Sequence, residues 1–334
     1  MDPQRILVIN VTRIGDTLFS SPAIRAIKEY WPNAVCDVLA HPKRAEVFEN
    51  LPFINKVGCI TKGVAPFLCR LFGPRYDVAF VYGFDQALVK YATRAATHVI
   101  AFKQTDPALN KRLFRCVDPA PFQGEHAIKQ ALRLPAAIGI NAQNMRIAYF
   151  CTDDEKKWGM ETLSHEGLGS GYPLIGLQVA SFPTKRYRDW PIESFLHLCR
   201  EIRSRFPNAK FLIFGGPEER TRTDWLKAEL NFGVSSFAGC LTLRQTAALM
   251  SCIDLYVGVD TGPTHIMSSF DIPIVGLYHC LSSRQHTGPL QHPLDFCIDH
   301  PRTGLDCDET TSMADISVAL VFDRVVEALA ARRK

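Results

Sequence analysis

One short stretch of the chain, 257–265, has the residue types and spacing of an anion-binding turn. A hydrophobic run that starts at residue 253 leads straight into Asp260-Thr261-Gly262-Pro263 and, two residues on, His265. Gly262 lets the backbone approach a ligand closely, and Pro263 suits a first helical turn, where its missing N–H costs little. The free N–H groups of that turn would bind an anion such as phosphate. An ordinary capped helix uses the same residue types, so both interpretations stay open.

A second group of candidate residues lies at 181–191 and is strongly basic. Lys185, Arg186 and Arg188 fall within four residues, ahead of a predicted helix with Pro191 at its start. Cations in this position predict a clamp for phosphate groups. The alternative is a solvated basic loop.

A third group, at 215–219, combines two glycines with two acids. Gly215 and Gly216 permit close approach, and Glu218 or Glu219 offers a carboxylate that accepts hydrogen bonds from ribose hydroxyls, by analogy with dinucleotide-binding folds. Acids are also favoured in the first turn of any helix, which is the alternative explanation.

An acid near the amino terminus is the candidate general base. Arg13 and Asp16 flank Gly15 just after the first predicted strand, and no GxGxxG motif follows. Asp16 has two interpretations that do not exclude each other, a helix cap and a general base.

Two further groups, at 265 and at 306–308, carry side chains that could bind a ligand. His265 is interpreted either as a structural partner of Asp260 or as a phosphate contact. Asp306-Cys307-Asp308 has the form of a metal-binding DxD, but it lies in a late loop outside the main sheet pattern, and we expect no metal site.

The elements that position these residues alternate between strand and helix in both halves of the chain. Predicted strands cover 6–10, 35–39, 77–82 and 98–102 in the first half and 173–179, 210–214, 253–259 and 273–278 in the second; predicted helices cover 17–30, 191–205 and 218–230, with another starting at 262. Continuous apolar runs indicate strands covered on both faces. We therefore predict two doubly wound parallel sheets, with ligands at the carboxyl ends of the strands, in a cleft between the halves.

The predicted domains follow from this repeat. They are an acceptor-binding Rossmann-like domain over 1–165, a nucleotide-sugar-binding Rossmann-like domain over 172–313, and a terminal helix over 314–334 that packs back across the domains. The polar segment 153–171 is the predicted boundary.

Composition limits the classes of function. The 334 residues are 47% hydrophobic and 22% charged, with a formal net charge of +4, which is typical of a packed globular protein and too weakly basic to indicate nucleic acid as a partner. The eleven cysteines form no CxxC pair, which predicts reduced, mostly buried thiols. No apolar run approaches the roughly 18 residues of a membrane span, and the first residues do not form a secretory signal.

Together these groups resemble glycosyltransferase family 9, the ADP-heptose:lipopolysaccharide heptosyltransferases. The resemblance runs from residue 5 to about residue 330 and rests on the motif residues Arg13, Gly15, Asp16, Pro22, Ala23 and Ile27, on Ala238-Gly239-Cys240-Leu241-Thr242-Leu243, on Gly258-Val259-Asp260-Thr261-Gly262-Pro263-Thr264-His265 and on His286-Thr287-Gly288-Pro289-Leu290. The chain departs from the family pattern at Val81-Tyr82-Gly83-Phe84 and at Arg188, where the family usually has lysine.

The resemblance implies a GT-B architecture and an inverting transfer that needs no metal and no cofactor. It implies that Asp16 is the general base and that donor binding involves Ser181, Lys185, Arg188, Glu219, Asp260, Thr261, Gly262, Pro263 and His265. The donor would be ADP-heptose, and the acceptor the lipopolysaccharide core at the inner membrane surface, with no transmembrane segment. The implied location is the cytoplasm, with peripheral contact to the cytoplasmic face of the inner membrane as an option.

The acceptor would be met by basic and aromatic residues of the first half. Arg13, Lys62 and Arg70 are the predicted contacts, with Lys43, Arg44, Phe67 and Phe72 as further candidates; a solvated surface with buried aromatics is the alternative. Two other functions stay open, a nucleotide-sugar epimerase or hydrolase and a non-catalytic nucleotide-sugar-binding protein.

Overall fold

The structure is a computed structural model that describes residues 2–68, 75–121 and 124–332. The chain divides into two compact units, Met1–Phe150 and Cys151–Lys334. The division falls just ahead of the 153–171 segment in which we expected the boundary.

The first unit is a doubly wound parallel sheet in the part that the structure describes. Its strands are β1 (Arg5–Asn10), β2 (Val35–Ala40), β3 (Lys56–Cys59), β4 (Tyr76–Tyr82), β5 (Ala96–Phe102) and β6 (Arg115–Val117), and its helices are α1 (Ile14–Phe19), α2 (Ser21–Tyr30), α3 (Gln86–Ala95), α4 (Pro107–Asn110) and α5 (Ala127–Ala136). The order β3-β2-β1-β4-β5-β6 is that of a Rossmann sheet. Ile6 and Val8 pack in one buried cluster and Leu7 and Ile9 in another, so both faces are covered, as the continuous apolar run predicts.

The second unit repeats the same topology within residues 151–332. Its strands are β7 (Leu174–Gln178), β8 (Lys210–Phe214), β9 (Val234–Ser236), β10 (Leu255–Val259), β11 (Ile274–Tyr278) and β12 (Ile298–Asp299), and its helices are α6 (Asp153–His165), α7 (Ile192–Arg205), α8 (Arg220–Leu230), α9 (Leu243–Met250), α10 (Gly262–Met267), α11 (Arg284–Thr287) and α12 (Val318–Arg332). The order β12-β11-β10-β7-β8-β9 is the Rossmann order read from the other side. Helix α12 packs on α7, β10 and β11; its packing across the domains stays a prediction.

Two predicted elements differ from the structure. The single helix expected over 17–30 is two helices, because Pro22 has no N–H to donate to the carbonyl of Leu18, and the hydroxyl of Ser21 donates to it instead at 2.7 Å. The segment expected to be a polar boundary contains helix α6, which packs on α9. The side chain of Thr152 and that of Glu155 cap its first turn reciprocally.

One cysteine pair also departs from the sequence prediction. Cys280 and Cys307 form a disulfide with their Cα atoms 6.1 Å apart, so the prediction of reduced thiols is wrong for these two. The fold brings together residues that are 27 positions apart, which spacing alone does not reveal. Among the described free cysteines, Cys36, Cys151, Cys199 and Cys297 are buried.

Candidate functional site

The carboxyl-end edge of the second sheet gathers the predicted donor residues. The segment 181–189 follows β7, Asp260 follows β10, and a short 3-10 turn, Pro217–Glu219, follows β8. Strands β7 and β10 are neighbours, and the chain leaves them in opposite directions across the sheet. Ligands of doubly wound sheets bind at this switch point.

Asp260 is the centre of a buried polar network at this edge. Its side chain is 2% exposed, and one of its oxygens, Oδ2, accepts hydrogen bonds from Arg188 Nη1 at 2.7 Å and Ser282 Oγ at 2.6 Å. The other oxygen, Oδ1, lies 3.3 Å from His265 Nε2 and 3.5 Å from Thr287 Oγ1. The structure therefore brings together on one carboxylate the 3-10 turn that ends at Arg188, helix α10 with His265, and the segment 282–287.

The charge of Asp260 is stabilised in the folded protein. Burial by itself raises the pKa of this carboxyl, but the hydrogen bond and charge of His265 and the charge of Arg188 outweigh burial, and the pKa lies below its usual value. Asp260 is therefore ionised at neutral pH.

The basic segment is a 3-10 turn, Pro183–Arg188, rather than an open loop. Arg188 pairs with Asp260, and Lys185 Nζ lies 3.8 Å from a carboxylate oxygen of Glu309, while Arg186 is exposed. Arg188 Nε is buried and has no hydrogen-bond partner among the described residues. Buried N–H groups are normally paired, so this one is an unmet donor at the site.

A second polar chain joins the first turn after β7 to helix α8. Asp189 accepts hydrogen bonds from the backbone N–H and the hydroxyl of Ser181, each at 2.7 Å, and from Arg222 Nη1 at 2.7 Å. Arg222 also lies 3.7 Å from Glu219. The two acids thus share one guanidinium.

The two acids of the third group differ in environment. Glu219 is 5% exposed, whereas Glu218 is exposed. Burial raises the pKa of Glu219, and Arg222 partly opposes that rise. A buried carboxylate at a strand end has the properties needed to accept hydrogen bonds from vicinal hydroxyls.

The predicted anion-binding turn forms a helix of only six residues. Thr261 precedes helix α10, and Gly262 and Pro263 occupy its first turn. The turn is attached to strand β10, because Thr264 Oγ1 donates to the carbonyl of Val259 and contacts the hydroxyl of Tyr256 at 2.8 Å.

The candidate base and its neighbours lie in the first unit. Helix α1 begins at Ile14, so Asp16 is exposed in its first turn rather than at the N-cap, which is Arg13. Asp16 is therefore not the N-cap residue of this helix. The turn after β1 is fixed by Asn10, whose side-chain oxygen accepts the Thr12 N–H at 3.1 Å and whose amide donates to Ser20 Oγ at 2.9 Å.

Several predicted acceptor contacts share the carboxyl-end edge of the first sheet. Lys43 is exposed after β2, and Arg44 Nη1 lies 3.5 Å from the carbonyl of Val11, after β1. Lys62 is exposed after β3, and Phe67 is 71% exposed. Arg70 and Phe72 lie outside the described residues.

One group near the carboxyl-end edge of the second sheet offers metal-ligand atoms. His279, Cys280 and Cys307 place such atoms within 4.8 Å of one another. The two sulfurs are joined as a disulfide, and His279 Nδ1 accepts the Leu281 N–H at 3.1 Å while Nε2 lies 3.0 Å from the carbonyl of Thr311. The group in this form supplies no thiolate ligand.

Comparison with known proteins decides the family. The model of glycosyltransferase family 9 (heptosyltransferase) matches residues 84–316. The chain belongs to glycosyltransferase family 9. This enzyme family is the one that the motifs predict, and the prediction of a glycosyltransferase is confirmed.

Related proteins of the family match most of the chain. Lipopolysaccharide heptosyltransferase 2 of Salmonella typhimurium is 26% identical over 308 residues, 86% of each chain. A glycosyltransferase family 9 structure from Veillonella parvula superposes with a TM-score of 0.83 at 18% identity, covering 98% of this chain and 97% of that one. Escherichia coli ADP-heptose lps heptosyltransferase II gives 0.79 at 20% identity, covering 99% and 100%. These likenesses confirm the predicted GT-B fold with its two Rossmann-like halves.

Sequence reasoning missed four members of the polar network at the carboxyl-end edge of the second sheet. Ser282, Thr287, Asp189 and Arg222 each bond to a predicted site residue. Thr287 lies in a segment that matches the family, and Asp189 lies in the basic segment, so both were visible as neighbours. Nothing in the sequence singles out Ser282 or Arg222.

Proposed function

We propose that this glycosyltransferase moves a heptose from ADP-heptose to the inner core of lipopolysaccharide, with inversion and without a metal ion. The observation that carries the proposal is the Asp260-centred network, which holds Arg188 at the switch point of the second sheet in a family 9 chain. The names of the relatives support the donor and the acceptor, since they are lipopolysaccharide heptosyltransferases.

The donor half of the proposal uses the second unit. Arg188 and Lys185 contact the diphosphate, and Asp260 holds Arg188 in place. The backbone of Thr261, Gly262 and Pro263 and the hydroxyl of Ser181 complete the phosphate subsite, His265 supports Asp260, and Glu219 accepts hydrogen bonds from the ribose. Fixed cations stabilise the negative charge that develops on the leaving diphosphate, which is the role a metal ion would otherwise fill.

The acceptor half of the proposal uses the first unit. Asp16 removes the proton of the acceptor hydroxyl as its oxygen attacks the anomeric carbon. The bond from that carbon to the diphosphate oxygen breaks, and its electron pair leaves with ADP. Arg13 and Lys62 contact anionic groups of the lipopolysaccharide core, with Arg70 as a further contact from outside the described residues.

The proposed place of action is the cytoplasmic face of the inner membrane, where the protein binds peripherally. In the described part of the chain, no helix has both the length and the apolar character that crossing a membrane requires. Exposed Lys43, Lys62 and Phe67 supply the charge and the apolar group that a membrane surface attracts.

The test of the base assignment is Asp16→Asn. We expect transfer to fall by a factor on the order of 10²–10⁴, with ADP affinity unchanged by calorimetry. Glu29→Gln, an exposed acid of helix α2, is the matched control and should retain full activity. Unimpaired turnover in Asp16→Asn would remove Asp16 from the mechanism.

A donor-only incubation separates the proposal from the other two functions. An epimerase or hydrolase consumes the nucleotide sugar efficiently without an acceptor, whereas a transferase releases ADP only when the acceptor is added. A non-catalytic binding protein gives no product with any acceptor.

A further inference from the structure

The Cys280–Cys307 disulfide ties a long loop to the donor-site edge. Cys280 lies two residues beyond β11, and Cys307 lies in the segment 301–311, most of which is exposed. Both half-cystines are partly exposed, so a small thiol can reach the bond. No step of the proposed transfer uses these sulfurs.

The far end of the same loop is held independently of the disulfide. His279 Nε2 lies 3.0 Å from the carbonyl of Thr311, and His300 Nε2 lies 3.0 Å from that of Ser312. The Nδ1 atom of each ring accepts a backbone N–H, so each Nε2 donates its N–H to the carbonyl that it faces. Glu309 lies two residues from each attachment, at Cys307 and at Thr311, and Thr311 closes a turn with Asp308. Breaking the disulfide therefore frees the loop up to Cys307 and leaves Glu309 attached only through the turn 308–311.

The loop touches the proposed diphosphate subsite through charge. Glu309 lies 3.8 Å from Lys185 Nζ, and the Glu309 side chain is 67% exposed. The ring of Tyr187 packs edge-on against His279, with centroids 4.9 Å apart, and Lys185 Nζ lies 5.2 Å from the same ring. The disulfide, the loop and the cation thus form one continuous set of contacts.

We propose that Cys280–Cys307 is a thiol–disulfide exchange site whose oxidised form holds Glu309 against Lys185 and so weakens donor binding. This inference rests on the proposed function of Lys185. In the oxidised enzyme the Glu309 carboxylate pairs with the ammonium group of Lys185. The donor diphosphate must displace that carboxylate before it can bind Lys185.

The chemistry balances with a dithiol as the reductant. A thiolate of the dithiol attacks Sγ of Cys307, the Cys280–Cys307 bond breaks, and Cys280 leaves as a thiolate that takes a proton from water. The second thiol of the reductant then attacks the mixed disulfide, which releases Cys307 and forms the cyclic disulfide of the reductant. Two electrons and two protons pass to the protein.

The size of the effect follows from the exposure of the ion pair. Opening the closed loop returns conformational freedom to the segment that carries Glu309. The exposed Glu309–Lys185 ion pair is too weak to hold that segment in place. We expect reduction to strengthen ADP binding by about two- to fivefold, which is the range that an exposed pair supports.

The experiment measures ADP affinity of the full-length enzyme by calorimetry, before and after treatment with dithiothreitol. Peptide mapping with alkylation under denaturing conditions reports the state of Cys280 and Cys307 in the same samples. The oxidised sample should show both peptides protected and the weaker affinity. Glu309→Gln should bind ADP as tightly when oxidised as the reduced wild type does, and dithiothreitol should leave its affinity unchanged.

Two further variants make the result specific. Cys307→Ser should bind like the reduced wild type in both conditions, and thermal unfolding confirms that it is folded; Cys280→Ser repeats the test if it is not. Cys116→Ser, an exposed thiol of the first unit, should keep the full response.

Three results overturn the inference. Equal ADP affinity in the two states removes the redox effect and leaves the proposed function intact, whereas no ADP binding in either state refutes the proposed function and this inference with it. Alkylation of both cysteines without reductant, together with stoichiometric bound metal, would show a metal site instead.

Discussion

Replacing Asp260 tests whether its network organises the carboxyl-end edge of the second sheet, the proposed donor site. The carboxylate receives Arg188 and Ser282 on one oxygen and His265 and Thr287 on the other. Asparagine keeps one acceptor oxygen and has the same shape. That oxygen should face Arg188, which can only donate, because the ring nitrogen of His265 and the hydroxyl of Thr287 can accept from the new amide.

The magnitudes follow from this geometry. Asp260→Asn replaces a charge-assisted hydrogen bond to Arg188 with a weaker one from a neutral oxygen, which costs about 1–1.5 kcal/mol. Asp260→Ala leaves a guanidinium that is 23% exposed without its counter-ion, at a cost of about 3–5 kcal/mol. In a unit of this size each kcal/mol lowers the Tm by about 2–4 °C.

The assay is denaturant unfolding at pH 7, followed by tryptophan fluorescence. Three of the four tryptophans, Trp158, Trp190 and Trp225, lie in the second unit, so the signal reports mainly on the unit that contains Asp260. Equal losses for the asparagine and alanine variants, or losses below about 0.5 kcal/mol for both, would refute the reasoning.

The same variant has a pH signature. The folded-state pKa of Asp260 is depressed, so its stabilising contribution is present above the unfolded value of about 3.9 and is lost as the pH falls through the folded value. The stability gap between wild type and Asp260→Asn should therefore be full at pH 7 and narrow below about pH 4. A gap that is constant with pH contradicts an electrostatic origin.

Two further predictions concern the second unit. Glu219→Gln should leave the Tm equal or higher, because burial penalises the charged form, and it should weaken ADP binding about tenfold by calorimetry, through loss of a charged acceptor; reduced stability with unchanged affinity would contradict this. Thr152→Ala should cost about 1 kcal/mol in denaturant unfolding, and Glu155→Ala should cost more because it also loses an ion pair with an arginine of α9; Lys157→Ala, from an exposed pair, is the neutral control.

The sequence predicts the sheets well and the breaks between elements less well. Continuous apolar runs indicate buried strands, and the strand predicted over 6–10 is found at Arg5–Asn10. Strands β3, β6, β9 and β12 were missed because each is only two to four residues long. Helix α6 was missed because only Gly159 and Leu163 are buried, so it has little apolar periodicity; its capping box, Thr152 and Glu155, was the available signal.

The candidate site shows the same division between local and distant information. Asp260 and Glu219 lie at strand ends, where the pattern of the fold places ligand-binding residues. Their partners do not follow from the sequence, because Arg188 is 72 residues from Asp260 and Ser282 is 22 residues away. Only the folded structure shows which basic side chain forms an ion pair with which acidic one.

The pairing of cations at the proposed donor site affects how an anion binds there. Arg188 faces Asp260, Lys185 faces Glu309 and Arg222 faces Asp189, so these three positive charges are locally neutralised. Long-range attraction of a negatively charged molecule toward them is correspondingly weak, and its arrival rate should vary little with ionic strength. Discrimination among anions then depends on how well the anionic group of the ligand replaces the acidic side chain that is paired with each cation.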